Sequence, residues 1–154
     1  MLNEGDPVPD VNLVSVEGKE MSPTDFRGQK LVIYFYPKDD TSGCTREAQD
    51  FTALAGEFEK QGTWILGVSK DSPASHAKFT GKYGLKVRLA SDSAGAVCEA
   101  FGTWVEKSMY GRKYMGIDRA TFLINRDGTV ARVWRKVKVP GHAEEVLEAA
   151  RDLP

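Results

Sequence analysis

Among 154 residues there are only two cysteines, Cys44 and Cys98. That is too few for the disulfide framework of a small secreted domain, so each sulfur is expected to be a reactive thiol or a small buried side chain. No run approaches the roughly 18 apolar residues of a spanning helix, so no membrane association is expected. Neither sign of charge is in excess. The chain carries 21 basic and 22 acidic residues, net −1, with no long basic stretch, and nucleic acid is not an expected partner. The opening Met-Leu-Asn-Glu-Gly-Asp lacks the basic flank and apolar segment of a secretory signal, so a cytoplasmic location is expected. The two histidines, His76 and His142, stand apart from each other and from the cysteines, so neither a metal site nor a cofactor is expected. No internal repeat or low-complexity segment occurs. The length fits a single domain, residues 1–154, large enough for a proper core.

The chain is organised around residues 31–51. Leu31 to Tyr36 are six consecutive apolar residues, the pattern of a strand covered on both faces. Pro37 ends it, because proline cannot donate to a sheet ladder. After a polar loop, Ala48, Phe51, Leu54, Ala55 and Phe58 fall on one face of a helix that begins near Cys44. Cys44 is thereby placed in or just before the first helical turn. The first N–H groups of a helix lack partners and its dipole is positive there, so an anion such as a thiolate is favoured. The alternative is a buried cysteine acting as a small apolar side chain. The polar neighbours of Cys44 argue against a dry site.

Around this centre, Val11, Leu13 and Val14 suggest a short strand turned by Glu17-Gly18, and Ser22-Pro23 a helix cap with proline at the first helical position. Residues 63–68 read as a second buried strand, joined to the first through the helix as a βαβ unit. Ser72-Pro73 start a helix with His76, Phe79 and Tyr83 on one face. Residues 88–90 suggest a short strand, and 93–101 a brief helix closed by Gly102. Residues 103–118 show no firm periodicity and are expected to be a long loop. Residues 120–124 read as a third buried strand, and Asn125-Arg126-Asp127-Gly128 as a hairpin turn into an edge strand over 130–137 carrying Arg132, Arg135 and Lys136. A last helix over 143–151 puts Ala143, Val146, Leu147 and Ala150 on one face. The pattern is that of an α/β protein.

Pro37, Thr41 and Cys44 stand as Pro-x-x-x-Thr-x-x-Cys, which resembles the active-site motif of the peroxiredoxins. The wider run Phe-Tyr-Pro-Lys-Asp-Asp-Thr-Ser-Gly-Cys-Thr-Arg-Glu-Ala is similar to the Q-type subfamily, also called bacterioferritin comigratory protein. The resemblance continues through Val97-Cys98-Glu99-Ala100-Phe101-Gly102 and Arg119-Ala120-Thr121-Phe122-Leu123-Ile124, covering nearly the whole chain. It implies a thioredoxin-like fold, with a central mixed β-sheet flanked by helices, and a peroxidase acting on hydrogen peroxide and small organic hydroperoxides. Thr41 occupies the place of the first cysteine of a Cys-x-x-Cys pair, which argues against a dithiol oxidoreductase.

By the same resemblance Cys44 is the peroxidatic cysteine, which becomes a sulfenic acid. Thr41 would hydrogen-bond the peroxide or the thiolate, and its alternative is a plain capping hydroxyl. The backbone N–H groups of Gly43 and Cys44 would hold the attacked oxygen, and Pro37 would keep water from the thiolate. Arg119 would stabilise the thiolate and the leaving oxygen with a charge it cannot lose; otherwise it is a surface arginine at a strand end. Glu47 would orient Arg119; otherwise it is a solvated helix residue. Arg46 is read as solvated, and His76 and His142 receive no catalytic role.

One departure concerns recycling. Many Q-type members carry a resolving cysteine five residues after the peroxidatic one, where this chain has Gln49, and others carry it on the helix matching residues 73–83, which has none here. Only Cys98 remains, on the border of the apolar face marked by Val97 and Phe101. The favoured expectation is a one-cysteine enzyme reduced by thioredoxin, a glutaredoxin or a small thiol such as glutathione. The alternatives are an atypical two-cysteine enzyme resolved by Cys98, a peroxide sensor or redox relay built on Cys44, and a binding module without redox chemistry. Q-type relatives are often monomers, and a monomer is expected.

Overall fold

The computed structural model describes residues 2–154. Its centre is the strand β3 (Lys30–Phe35), every residue of which is buried. Alternation along this strand divides the core in two, since successive side chains point to opposite faces. Leu31, Ile33 and Phe35 pack with Leu66, Val68, Phe101 and Phe122 on one face. Val32 and Tyr34, with Tyr36 beyond, pack with Phe51, Phe58, Phe79, Val146 and Leu147 on the other.

The neighbours of β3 are β4 (Thr63–Ser69), which runs parallel to it, and β8 (Ala120–Ile124), which runs antiparallel. Outward from β4 lie β5 (Arg88–Ser91), then β1 (Leu13–Ser15) and β2 (Glu20–Met21). Outward from β8 lies β9 (Val130–Trp134). The result is a seven-stranded mixed sheet in the order β2-β1-β5-β4-β3-β8-β9. Helices α1 (Ser42–Ala53), α2 (Ala55–Lys60), α3 (Pro73–Tyr83) and α5 (His142–Asp152) contribute to the core on the Tyr34 face, and α4 (Ala96–Phe101) to that on the Phe35 face.

Local chemistry accounts for the element ends. Ser22 caps a 3-10 turn, Pro23–Phe26, in a capping box with Asp25. Ser72 accepts the N–H of Ser75 at the start of α3, with Pro73 in its first turn. The helix expected to run on past Cys44 is interrupted at Leu54, whose N–H turns back to the carbonyl of Phe51. Phe51 and Phe58 nevertheless share one buried cluster. Lys30 is buried, and its ammonium donates to the carbonyls of Ala150 (2.7 Å) and Leu153 (3.2 Å), closing the C-terminal end of α5.

The expectation of a long loop over residues 103–118 is corrected. Strands β6 (Trp104–Met109) and β7 (Arg112–Ile117) form a separate antiparallel hairpin. Tyr110 and Gly111 link them with φ of 52° and 78°, the positive values of a tight two-residue turn. Met109, Tyr110, Tyr114 and Met115 are exposed on it. A hairpin with so little buried surface shows no clean apolar alternation, and a tyrosine stands where Asn or Asp usually marks such a turn. The edge strand expected over 130–137 ends at Trp134; Lys136 has φ of 49°, which is incompatible with an extended ladder.

Candidate active site

The site forms where β3 gives way to α1. Ser42, Gly43 and Cys44 are the first three residues of the helix, so their N–H groups point out of its N-terminus without intrahelical partners. Cys44 is 2% exposed and packs in the cluster that contains Tyr34 and Tyr36. The register of β8 against β3 pairs Phe35 with Ala120, which sets Arg119 level with the end of the central strand. From there Arg119 Nη2 donates to Cys44 Sγ at 3.2 Å, and Nη1 donates to Glu47 Oε1 at 2.8 Å. Glu47 lies one helical turn after Cys44 and is 1% exposed.

The electrostatics follow from this geometry. Burial pushes the Glu47 carboxyl up to about 7, against the pull of Arg119. Its second oxygen, Oε2, is buried without a hydrogen-bond partner among the described residues, which gives the desolvation penalty a concrete origin. Burial disfavours the Arg119 charge, but Glu47 and Cys44 outweigh it and hold the guanidinium above its ordinary range. Gly43 provides the space: a Cβ there would come within 3.3 Å of Arg119 Nη2.

The structure thus brings together Cys44, Arg119, Glu47 and Gly43. Thr41 is the N-cap residue of α1 and is exposed; its hydroxyl donates to the Lys38 carbonyl at 2.8 Å and accepts no hydrogen bond from the N–H groups of the helix. Pro37 stands two residues beyond the end of β3 and is exposed. Arg46 is exposed and pairs with Asp50 at 3.4 Å. Cys98 lies on the other face of the sheet. It is 0% exposed in the cluster around Phe35 and Phe101, whereas Cys44 belongs to the cluster around Tyr34. Its N–H donates to Asp92 Oδ2 at 2.7 Å, and burial, with the Asp92 carboxylate beside it, pushes its thiol well above the ordinary range.

The residue pattern did not single out Asp39 and His76. Asp39, in the loop between β3 and α1, accepts from Tyr36 Oη (2.6 Å), Ser75 Oγ (2.8 Å) and His76 Nδ1 (2.7 Å). The signal available was a histidine on the apolar face of a helix, together with two adjacent aspartates before the reactive cysteine. His142 is also buried, with Nε2 2.8 Å from Thr121 Oγ1, and burial lowers its pKa to about 4.

A cysteine at a helix N-terminus, faced by a guanidinium that a buried carboxylate holds, is the equipment of a thiol-dependent peroxidase. Comparison with known proteins gives the family. The model of the AhpC/TSA family matches residues 4–133. Peroxiredoxin Bcp of Xanthomonas campestris is 54% identical over 124 residues, 80% of this chain and 78% of the relative. Peroxiredoxin Bcp of Bacillus subtilis is 42% identical over 149 residues, 97% of this chain and 95% of the relative. A solved structure of the Xanthomonas campestris bacterioferritin comigratory protein superposes with a TM-score of 0.90 at 46% identity, covering 98% of this chain and 96% of that one. The chain belongs to the AhpC/TSA family and is a peroxiredoxin of the Bcp, or Q, type. The expected thioredoxin-like α/β fold and peroxidase activity are borne out. No helix among the described residues is long and apolar enough to cross a membrane.

Proposed function

We propose that this peroxiredoxin works as a one-cysteine enzyme on hydrogen peroxide and small organic hydroperoxides. The Cys44 thiolate attacks one peroxide oxygen. An S–O bond forms, the O–O bond breaks, and the departing hydroxide or alkoxide takes up a proton to leave as water or alcohol. Arg119 stabilises charge on both the sulfur and the departing oxygen. The free N–H groups of Gly43 and Cys44 receive the attacked oxygen. Thr41 already donates to Lys38, so its oxygen is available to accept the peroxide O–H. Pro37 covers the approach to the sulfur, and Glu47 orients Arg119. The Xanthomonas campestris structure was described in connection with alkyl peroxide reduction, which supports the organic substrates.

The position of Cys98 carries the one-cysteine reading. A disulfide needs Cα atoms within about 7 Å, and the two sulfurs lie in cores on opposite faces of the sheet. Recycling then uses an external thiol. One thiol displaces water from the sulfenic acid to form a mixed disulfide, and a second releases Cys44 as thiol with a new external disulfide. Thioredoxin, a glutaredoxin or glutathione would supply these thiols to a cytoplasmic monomer acting as one domain. The test is intact mass after one equivalent of peroxide. A gain of one oxygen at Cys44 is expected, and a loss of two hydrogens with a 44–98 bridge would overturn the reading.

A further inference from the structure

We propose that His76 is a positioning residue for the peroxide step: through Asp39 it holds the loop before α1, and with it the first turn of that helix, in the geometry Cys44 needs to attack. The loop, residues 37–40, is the only covalent link between the rigid end of β3 and the N-terminus that carries Cys44. It is short and polar, and Lys38 and Asp40 are exposed. Asp40 sits at φ of 57°, a conformation that disfavours an L-residue unless something fixes it. Such a segment does not define an attack geometry by itself.

Two fasteners supply what the loop lacks, and both end on α3. At one end of that helix, the Asp39 carboxylate takes donors from Tyr36, Ser75 and His76, while its N–H donates to Asp71 Oδ2 at 2.9 Å. At the other end, the Asp40 carboxylate takes donors from Lys82 and Tyr83. The second fastener is exposed and weak, as surface pairs are. The first is buried. His76 is 0% exposed, with Nδ1 facing the Asp39 carboxylate and Nε2 facing the Ala90 carbonyl on β5 at 3.1 Å. Each ring nitrogen thus faces an acceptor, a carboxylate on the loop and a main-chain carbonyl on the sheet, so the imidazole is held from both sides. Burial alone would raise the Asp39 carboxyl, but the donors from His76 and Tyr36 outweigh it and keep it below the ordinary range. His76 therefore ties the loop, α3 and β5 together at one point, and Asp39 is two residues from the N-cap Thr41.

The peroxide step needs the thiolate, the free helix N–H groups and Arg119 in fixed register. Reduction of the sulfenic acid needs a thiol to reach a residue, Cys44, that is 2% exposed. Releasing the loop should therefore harm the first step and spare or help the second. A role in stability alone would move neither step in the folded fraction.

The experiment is stopped-flow measurement of two half-reactions: oxidation of Cys44 by hydrogen peroxide, and reduction of preformed sulfenic acid by dithiothreitol. In folded His76→Leu, oxidation should slow about 10- to 100-fold, as displacements of reacting groups by about 1 Å do, while reduction is unchanged or faster. His76→Asn keeps a donor near the Nδ1 position and should recover most of the oxidation rate. If His76→Leu does not fold, Asp39→Asn, which keeps the shape and loses the charge, carries the same expectation. Oxidation within twofold of wild type in the folded variant, or both half-reactions falling by one factor, would overturn the proposal. Oxidation of Cys44 precedes any choice of reductant, so this outcome is independent of whether the one-cysteine cycle holds.

Discussion

Arg119 and Glu47 meet at 2.8 Å beside Cys44, and the same guanidinium uses its other terminal nitrogen for the sulfur at 3.2 Å. One planar cation thus serves two partners in fixed directions, which a lysine ammonium does not reproduce. Arg119→Lys should slow oxidation of Cys44 by about 10²-fold, the usual loss when one charge-stabilising donor is removed. Second-order rate constants with hydrogen peroxide test this, and a change under threefold would show that position 119 contributes only charge.

The pH dependence of stability should contain two opposed slopes. Glu47 is raised from 4.5 to about 7, so its contribution is fully present below pH 4.5 and is lost as pH rises through 7. His142 is lowered from 6.5 to about 4, so its contribution is present above 6.5 and is lost as pH falls through 4. Each is worth at most roughly 3 kcal/mol at 1.36 kcal/mol per unit, and over the shared interval they largely cancel. Glu47→Gln should expose a stability that climbs between pH 4 and 6.5. His142→Gln should expose one that declines between 4.5 and 7. Urea unfolding across this range reads both, and identical profiles in wild type and variants would refute the assignment.

Gly43→Ala should separate folding from chemistry. An added methyl replaces glycine in a helix, which favours folding by up to about 1 kcal/mol. The same methyl lies 3.3 Å from Arg119 Nη2 and forces the guanidinium aside. Melting temperature should hold or rise while oxidation of Cys44 slows several-fold, and a variant with undiminished rate would mean that the guanidinium has room to spare.

Lys30→Met should loosen the C-terminus without touching the site. The variant strands the Ala150 and Leu153 carbonyls at the end of α5, at a cost of about 1–3 kcal/mol. Limited proteolysis near residue 150 should become faster, with the peroxide rate of the folded enzyme preserved.

Much of the fold was legible because burial writes a period into the chain. The unbroken run from Leu31 to Tyr36, the Ser22 and Ser72 caps and the turn at Gly128 all register in neighbouring residues. The β6–β7 hairpin was not legible, because its side chains are mostly solvated and no apolar alternation marks its strands. Of the site, Cys44 could be placed from the strand-to-helix switch alone. Arg119 lies 75 residues further on, and its approach depends on the antiparallel pairing of β8 with β3, which no local pattern encodes. Glu47 looked like a solvated helix residue as readily as a buried one, since a carboxylate one turn along a helix fits either. The Asp39–His76 contact was hidden for the same reason as Arg119: it joins a loop to a helix 37 residues away.

The β-sheet that separates the two thiols also decides where oxidant damage accumulates. With Cys98 walled into the far core and held protonated, excess peroxide has a single thiol to consume in the intact molecule. Over-oxidation of cysteine should therefore stay at Cys44, as sulfinic and then sulfonic acid, with any further oxygen on the exposed Met109 and Met115, and Cys98 should yield to alkylating reagents only after the chain has been unfolded.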